Sequence, residues 1–419
     1  MLNPNSLVQS LNALTSSKKL LIAFSGGLDS YVLLHALVQA NSLTKDFQIR
    51  AVHVDHGLQI VSSQWSKQCL SICKTLKVNC EIVSLELLIP KGESLEAIAR
   101  EARYNAFRRL LQKDEVLLTA QHQDDQAETL LIQLFRGAGV NGLAAMPVLS
   151  NFGKGQHLRP LLNISRASLE AYAKQHALDF IEDPSNQDQR FDRNYLRHEI
   201  IPRLKQRWLS VNKVLSRVAS HQAETKSLLA EYLQQDMPLL LGSRAGTLSI
   251  AKLNILSPAR CNAVIRYFIN QQGFLAPSEK KLKHIIRDVL NAKSDASPCV
   301  SWKQAEVRRY QNDFYILAPL SVHDKNQCIP WNVSQNLHLP SLNRVLKVEL
   351  LNAIKSFDKE KDQNVEVRFR QGGEKIYQEE RKCSITLKKL FQEMGVPVWE
   401  RDRIPLVYID GKLVAVGFD

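Results

Sequence analysis

Leu20-Leu21-Ile22-Ala23-Phe24-Ser25-Gly26-Gly27-Leu28-Asp29-Ser30 is the stretch on which the fold turns. Five apolar residues run without a polar interruption, glycines follow, and a helical pattern extends from about Ser30 to Gln39. A short apolar run closed by turn chemistry reads as a buried strand, and the whole segment as strand, tight loop, helix. Gly26 and Gly27 let the backbone turn sharply with its amides pointing inward. Amides at a helix start, with the hydroxyls of Ser25 and Ser30, form a cradle for an anion. No lysine follows as in a Walker A loop, and the loop is not a G-x-G-x-x-G dinucleotide fingerprint either. Asp29 instead sits inside the cradle, where it repels bare phosphate unless a divalent cation bridges the two; Mg²⁺ with ATP resolves that conflict. The plainer reading is a capped helix with aspartate in its first turn.

Working outward, strand and helix patterns alternate. Strands are expected at Ile49–Val54, Glu81–Leu87 and Val116–Ala120, and helices at Gln64–Leu76, Ser94–Leu111, Asp124–Phe135 and Ala167–His176. This rhythm predicts a mainly parallel sheet covered on both faces, with ligands at the carboxyl ends of the strands. Asn151–Gln156 reads as a surface turn, and from Tyr195 to about Leu240 the pattern is helical. A basic helix, Ser278–Ala292, carries Leu282, Ile286, Val289 and Leu290 on one face and Lys280, Lys283 and Arg287 on another. Ala305–Tyr310 and Phe314–Leu317 read as a hairpin. A last unit has a strand (Val365–Phe369), a helix (Thr386–Met394) and a hairpin closed by Asp410-Gly411. The expected division is 1–212, 213–335 and 336–419: an α/β nucleotide-binding domain, a helical linker with a basic domain, and a small α+β domain.

The chain of 419 residues is too long for one ordinary core. Its net charge of +13 favours a polyanionic partner such as nucleic acid. No apolar run approaches the roughly 20 residues that a membrane span needs, and the N-terminal pattern is not a signal peptide. Seven scattered cysteines suit a reducing compartment, hence a cytoplasmic location, rather than a disulfide framework. Cys69, Cys73 and Cys80 match no common zinc spacing and read as helix packing. A homodimer is compatible with the sequence and not dictated by it.

Ser25 to Ser30 resembles the SGGxDS signature of the PP-loop (N-type) ATP pyrophosphatases, in the same place after the first strand. The resemblance implies a Rossmann-like parallel sheet, a loop gripping pyrophosphate through Ser25, Gly26, Gly27 and Ser30 with Leu28 and Asp29 also in the ATP site, and attack on the α-phosphate of ATP. Further segments narrow it. Val54-Asp55-His56-Gly57-Leu58 ends the second strand, where the family's adenine edge lies, which implicates Val54 and His56. Arg100 and Arg103 lie three apart on a helix. Thr119-Ala120-Gln121-His122-Gln123-Asp124-Asp125-Gln126-Ala127-Glu128-Thr129 ends the fourth strand, with Gln121 departing from the paired histidines of many relatives. Glu182-Asp183-Pro184-Ser185-Asn186 precedes Phe191-Asp192-Arg193-Asn194 and Arg197. Near the end, Arg368-Phe369-Arg370-Gln371-Gly372-Gly373-Glu374-Lys375-Ile376 and the segments around Lys388, Lys389 and Arg401 continue the likeness.

Together these are most similar to the tRNA(Ile)-lysidine synthetase family. The resemblance implies ATP, Mg²⁺, L-lysine and the isoleucine tRNA with anticodon CAU as cofactors and partners. The product is lysidine at the wobble cytidine, formed through an adenylated base. It implies Mg²⁺ on Asp29, lysine or metal on Asp125 and Glu128, and charge compensation or tRNA contact by Arg100, Arg103, Arg193 and Arg197. Lys280, Lys283, Arg287, Arg368, Arg370, Lys388, Lys389 and Arg401 suit phosphate contacts that position an RNA without reading its sequence. Solvated arginines and helix-dipole carboxylates are the plainer readings of these groups. A tRNA thiolation enzyme on the same fold is the alternative, and a non-catalytic RNA-binding module is a third reading. The first needs a sulfur-carrying cysteine near the loop; the second would have lost Asp29, Asp125 or Glu128.

Overall fold

The structure is a computed structural model that describes residues 2–417, apart from 56, 58–61, 86–94, 294–295, 353, 355–356, 359–362 and 379–380. The chain divides into two compact units, 1–229 and 230–419.

In the first unit, helix α1 (Pro4–Leu14) precedes strand β1 (Lys19–Ala23) and helix α2 (Leu28–Thr44). Then come β2 (Gln48–Asp55), α3 (Ser62–Thr75), β3 (Asn79–Ser84), α4 (Leu95–Leu110), β4 (Glu115–Leu118), α5 (Gln123–Phe135) and the short α6 (Val140–Leu143). Strands β5 (Leu149–Phe152) and β6 (Gly155–Leu158) precede α7 (Arg166–Gln175). The sheet order is β3-β2-β1-β4-β6-β5, parallel except for the antiparallel edge strand β5.

Strand β1 is buried on both faces because both sides are covered. Leu20 and Ile22 pack with α1, α2, α3 and α7, whereas Leu21 packs with Phe107 of α4 and with Leu111 just beyond it. This is why β1 reads as a continuous apolar run and not as an alternation. After β3 the chain returns to the other side of β1, so strand order reverses between β1 and β4. A crevice opens at such a reversal, and the loops leaving these two strands face each other across it.

Most expected elements are present with ends shifted by one to three residues. The part of the third strand expected beyond Leu85 lies outside the described residues. Asn151–Gln156 is corrected: it is not a bare turn, but the centre of a hairpin in which Phe152 pairs with Gly155 and only Gly153 and Lys154 turn. Phe152, His157 and Leu158 face inward and hold it to the sheet.

The long helical stretch is also subdivided. It consists of α8 (Asp192–Tyr195), a wide π-type segment (Leu196–Ile200), α9 (Ile201–Arg207), an elbow at Trp208, and α10 (Val211–Leu240). The wide turn keeps Leu196, Ile200, Ile201 and Leu204 on one side, packed with Leu131 and Ile132 of α5.

The second unit carries a four-stranded antiparallel sheet (248–249, 313–317, 305–310, 299–302) with helices 258–271 and 279–284. The basic helix enters a π-type segment at Ile285–Leu290, which brings Ile285 into the core beside the expected Leu282, Val289 and Leu290. A second sheet (329–330, 365–368, 406–409, 412–416) and two small hairpins form the C-terminal part. Among the described residues no helix is long and apolar enough to cross a membrane.

Candidate active site

The loop after β1 is held from three sides. Phe24 N–H donates to Val52 O at 2.8 Å, and Ile181 N–H donates to Gly26 O at 3.0 Å. Gly26 has φ +79°, and a Cβ there would lie 2.4 Å from Ile181 Cδ1 and 2.8 Å from Cys69 Sγ. Glycine is required both by conformation and by space. The buried Ser30 hydroxyl donates to Gly27 O at 3.0 Å and accepts the Ser25 amide at 3.2 Å, with Ser25 Oγ 3.0 Å away. Leu28 turns into the core, so it offers the site only its amide. Gly27 caps α2 without a side-chain acceptor, which leaves the helix-start amides open to an anion.

Across the crevice, His122 caps α5. Its Nδ1 accepts the amides of Asp124 and Asp125 at 3.2 and 3.4 Å, while Asp125 Oδ2 accepts the His122 amide at 3.0 Å. With Nδ1 accepting, Nε2 carries the hydrogen, and it faces Asp125 Oδ2 at 3.4 Å and Asp29 Oδ2 at 3.6 Å. Burial disfavours the imidazolium, but the carboxylates of Asp29, Asp125 and Asp124 outweigh it and raise the His122 pKa. Asp29 Oδ2 also meets Arg166 Nη1 at 3.3 Å, and Asp29 Oδ1 is buried without a hydrogen-bond partner.

The segment from α8 runs beside α5. Arg193 Nε donates to Glu128 Oε2 at 2.9 Å and its Nη2 to Thr129 Oγ1 at 2.9 Å. Arg197 donates through Nε to Glu128 Oε1 at 2.7 Å and through Nη2 to Asp125 Oδ1 at 3.1 Å and Glu128 Oε2 at 3.0 Å. Glu128 is 1% exposed and both its oxygens are engaged. Burial lifts its pKa, opposed by Arg197; Asp125, equally burdened by burial, is nevertheless lowered by His122, Arg193 and Arg197.

Asp29, Asp125, Glu128, Arg193 and Arg197 are thus brought together around His122, although 168 positions separate the first from the last. Arg100 and Arg103 are not drawn into this cluster. Arg100 lies over the Tyr104 ring at 5.0 Å. Arg103 lies near His53, whose pKa is lowered by burial and by that charge. Val54 is half-buried at the end of β2, and His56 lies outside the described residues.

Three family models match the chain in order: a PP-loop domain over residues 3–204, a TilS substrate binding domain over 248–315 and a TilS substrate C-terminal domain over 365–417. The tRNA(Ile)-lysidine synthase of Coxiella burnetii is 42% identical over 415 residues, 99% of this chain and 91% of that protein. Those of Serratia proteamaculans and Legionella pneumophila (strain Paris) are 41% and 40% identical, covering 99% and 95% of this chain and 94% and 90% of their own lengths. The chain belongs to the tRNA(Ile)-lysidine synthase family.

Family membership does not favour the thiolation alternative, and Cys69 and Cys73 fit that outcome. Cys69 and Cys73 are buried in the core of the first unit, and burial pushes the Cys69 thiol up to about 12. A thiol so held is not a nucleophile at neutral pH.

In the C-terminal half of this lysidine synthase family member, the basic residues fall into three groups. Lys280, Lys388 and Lys389 are exposed. Lys283, Arg287, Arg368 and Arg370 are already paired with Glu279, Asp288, Glu366 and Asp402. Arg401 is corrected as an RNA contact: it is buried, donating to Val396 O at 2.9 Å and to Tyr310 Oη at 2.9 Å. Its guanidinium braces the fold.

Sequence reasoning missed Arg166 and Asp124. Asp124 accepts the Arg166 amide at 3.2 Å and Asn212 Nδ2 at 2.5 Å, and lies 3.7 Å from Lys205 Nζ. Arg166 had no signal in its own segment; only the fold places α7 beside the Asp29 loop.

Proposed function

We propose that this chain joins L-lysine to the wobble cytidine of the isoleucine tRNA with anticodon CAU in two steps that together consume one ATP. In the first, cytosine O2 bonds to the α-phosphorus of ATP, the α–β bridging P–O bond breaks, and pyrophosphate leaves. In the second, the lysine ε-amine bonds to ring carbon 2, the C–O bond to the adenylate breaks, AMP leaves, and the amine loses a proton. The observation that carries this reading is the open amide cradle at Ser25–Ser30 facing Asp125 and Arg197 across the crevice, in a chain aligned with lysidine synthases over 99% of its length.

Ser25, Gly26, Gly27 and Ser30 hold the leaving diphosphate through amides and hydroxyls. The unpartnered, buried Asp29 Oδ1 suits a hard cation, and one carboxylate plus substrate phosphates is an ordinary Mg²⁺ donor set. When bound, Mg²⁺ neutralises phosphate charge.

Glu128 is reassigned from ligand to anchor, because both its oxygens already hold Arg193 and Arg197. Nη1 of each arginine makes no hydrogen bond among the described residues. These donors, on side chains 29% and 26% exposed, meet developing charge or RNA phosphate. Asp125 also has both oxygens engaged, but by one hydrogen bond each, and its side chain is 13% exposed against 1% for Glu128, so it is the carboxylate with acceptor capacity for the incoming amine. The basic units at 213–335 and 336–419 hold the tRNA body, and the enzyme acts in the cytoplasm.

The test is pyrophosphate release from full-length protein supplied with ATP, Mg²⁺, the CAU transcript and lysine. Asp29→Ala is expected to reduce release by at least about a hundredfold, the scale seen when one electrostatic partner of a transition state is removed. Release from Asp29→Ala within threefold of the unaltered protein would overturn the role given to Asp29.

A further inference from the structure

Residues 203–217, Arg-Leu-Lys-Gln-Arg-Trp-Leu-Ser-Val-Asn-Lys-Val-Leu-Ser-Arg, contain five cations and no acid. They form the elbow between α9 and α10. At its apex Trp208 is 59% exposed and Leu209 87% exposed. The elbow is nonetheless well ordered by its backbone: Trp208 N–H donates to Leu204 O at 2.8 Å, and Val211 N–H donates to Trp208 O at 3.0 Å.

Its two inner positions are committed to the site already described, Asn212 and Lys205 both reaching Asp124. Arg203 pairs with Glu199 at 3.3 Å. Arg207, Lys213 and Arg217 have no carboxylate partner among the described residues. Three cations without a carboxylate partner among the described residues thus flank a solvent-facing indole on a hydrogen-bonded turn of backbone. Trp208 and the adjoining Leu209 form an exposed apolar patch rimmed by cations, the kind of surface that marks an interaction site.

The elbow also forms one wall of a cavity of about 360 Å³. Lys205, Leu209 and Lys213 face Asp124, Arg166 and Glu170 across it. Arg166 extends from that cavity to Asp29 in the phosphate cradle.

We propose that this elbow is a contact surface for unpaired tRNA nucleotides. One base stacks on Trp208 beside Leu209, while Arg207, Lys213 and Arg217 bind the flanking phosphates. An indole presents a face on which any base can stack, and adjacent cations follow the backbone; this pairing is how proteins hold single-stranded RNA. An acidic peptide would satisfy the cations but leave the indole without a planar partner. The surface lies on the catalytic unit and adjoins the crevice, so it orders the strand next to the reacting base. The inference rests on RNA being the substrate, and not on which amino acid is joined to it.

The experiment is filter binding of full-length protein to the CAU transcript over a range of salt, with pyrophosphate release measured in parallel. Trp208→Ala is expected to weaken tRNA binding about tenfold without changing the slope of log K against log salt, and Trp208→Phe to recover most of the loss. The triple change Arg207→Ala, Lys213→Ala, Arg217→Ala is expected to lower that slope by about two to three. Single-stranded RNA is expected to compete for the unaltered protein far better than polyglutamate of equal charge.

Binding by Trp208→Ala within twofold of the unaltered protein, an unchanged slope in the triple variant, or equal competition by polyglutamate would each refute the proposal. If the unaltered protein released no pyrophosphate yet Trp208→Ala still weakened tRNA binding, the surface would stand and the catalytic reading would fall.

Discussion

Gly26 shows how closely one residue can be specified. Its φ of +79° and the 2.4 Å approach of Ile181 Cδ1 both exclude a Cβ. Gly26→Ala is expected to lower stability by about 1–3 kcal/mol and to abolish measurable ATP-dependent pyrophosphate release. A thermal melt alongside the release assay checks both, and a variant with normal release would show that the loop tolerates a different conformation. His157 offers a second check. It is 2% exposed, and its Nε2 lies 2.7 Å from Thr119 Oγ1. Burial, then the charges of Arg159 and Arg100, hold its pKa down at about 3. The unfolded chain binds this proton near pH 6.5, so the folded state binds fewer protons between about pH 6.5 and 3. Stability from the neutral ring is therefore complete above about pH 6.5 and is lost as pH falls toward 3. His157→Gln is expected to lose less stability than the unaltered protein between pH 7 and pH 4 in urea melts; equal losses would contradict the assignment. The sequence marked Gly26 because glycine has few reasons to be doubled at a helix start. It was silent on His157, whose state depends on burial by the sheet and on Arg100, brought from another helix, as well as on its near neighbour Arg159.

At the scale of elements, the decisive feature is α8 and its π-type continuation lying along α5. Arg193 and Arg197 sit one turn apart, a spacing visible in the sequence, and so does the i, i+3 pair Asp125 and Glu128. Their mutual pairing was not visible, because it depends on two segments about 65 residues apart coming together. Glu128 therefore read as a free ligand, when it is the buried anchor of both arginines. Arg197→Met removes one partner and leaves Glu128 with an uncompensated share of charge, a change that costs about 3–5 kcal/mol at buried pairs, less where the arginine is partly exposed. Chemical denaturation is expected to show a loss of about 2–4 kcal/mol, and Glu128→Gln combined with Arg197→Met to recover part of it. Strict additivity of the two changes would show that the residues are not coupled. The hairpin at Leu149–Leu158 teaches a related lesson: four-residue strands beside a Gly-Lys turn carry too little pattern to be told from a loop, and only the open edge of the sheet decides them.

At the scale of the whole molecule, the order of strands brings the chemistry together. Reversal of strand order between β1 and β4 opens one crevice, and the loops leaving those strands carry Asp29 and Asp125 to opposite sides of His122. The alternating pattern of the first half was legible because β1 is a continuous apolar run, β3 alternates, and helices such as α3 and α7 carry one apolar face. The neighbour of each strand was not, so Arg166 and Asp124 escaped notice. The distribution of basic residues was legible only as composition. Arg401 counted toward the charge excess but is buried, whereas Arg207, Lys213 and Arg217 at the elbow remain available. The central claim is that the cradle after β1 holds a leaving diphosphate while AMP is transferred to RNA. It is tested most directly by incubating the full-length protein with α-labelled ATP, Mg²⁺ and the CAU transcript, then adding lysine, and resolving the labelled products at each stage. Label is expected first on the RNA and then, once lysine is added, in AMP, with no ADP formed; label in ADP, or AMP formed equally well without the transcript, would contradict it.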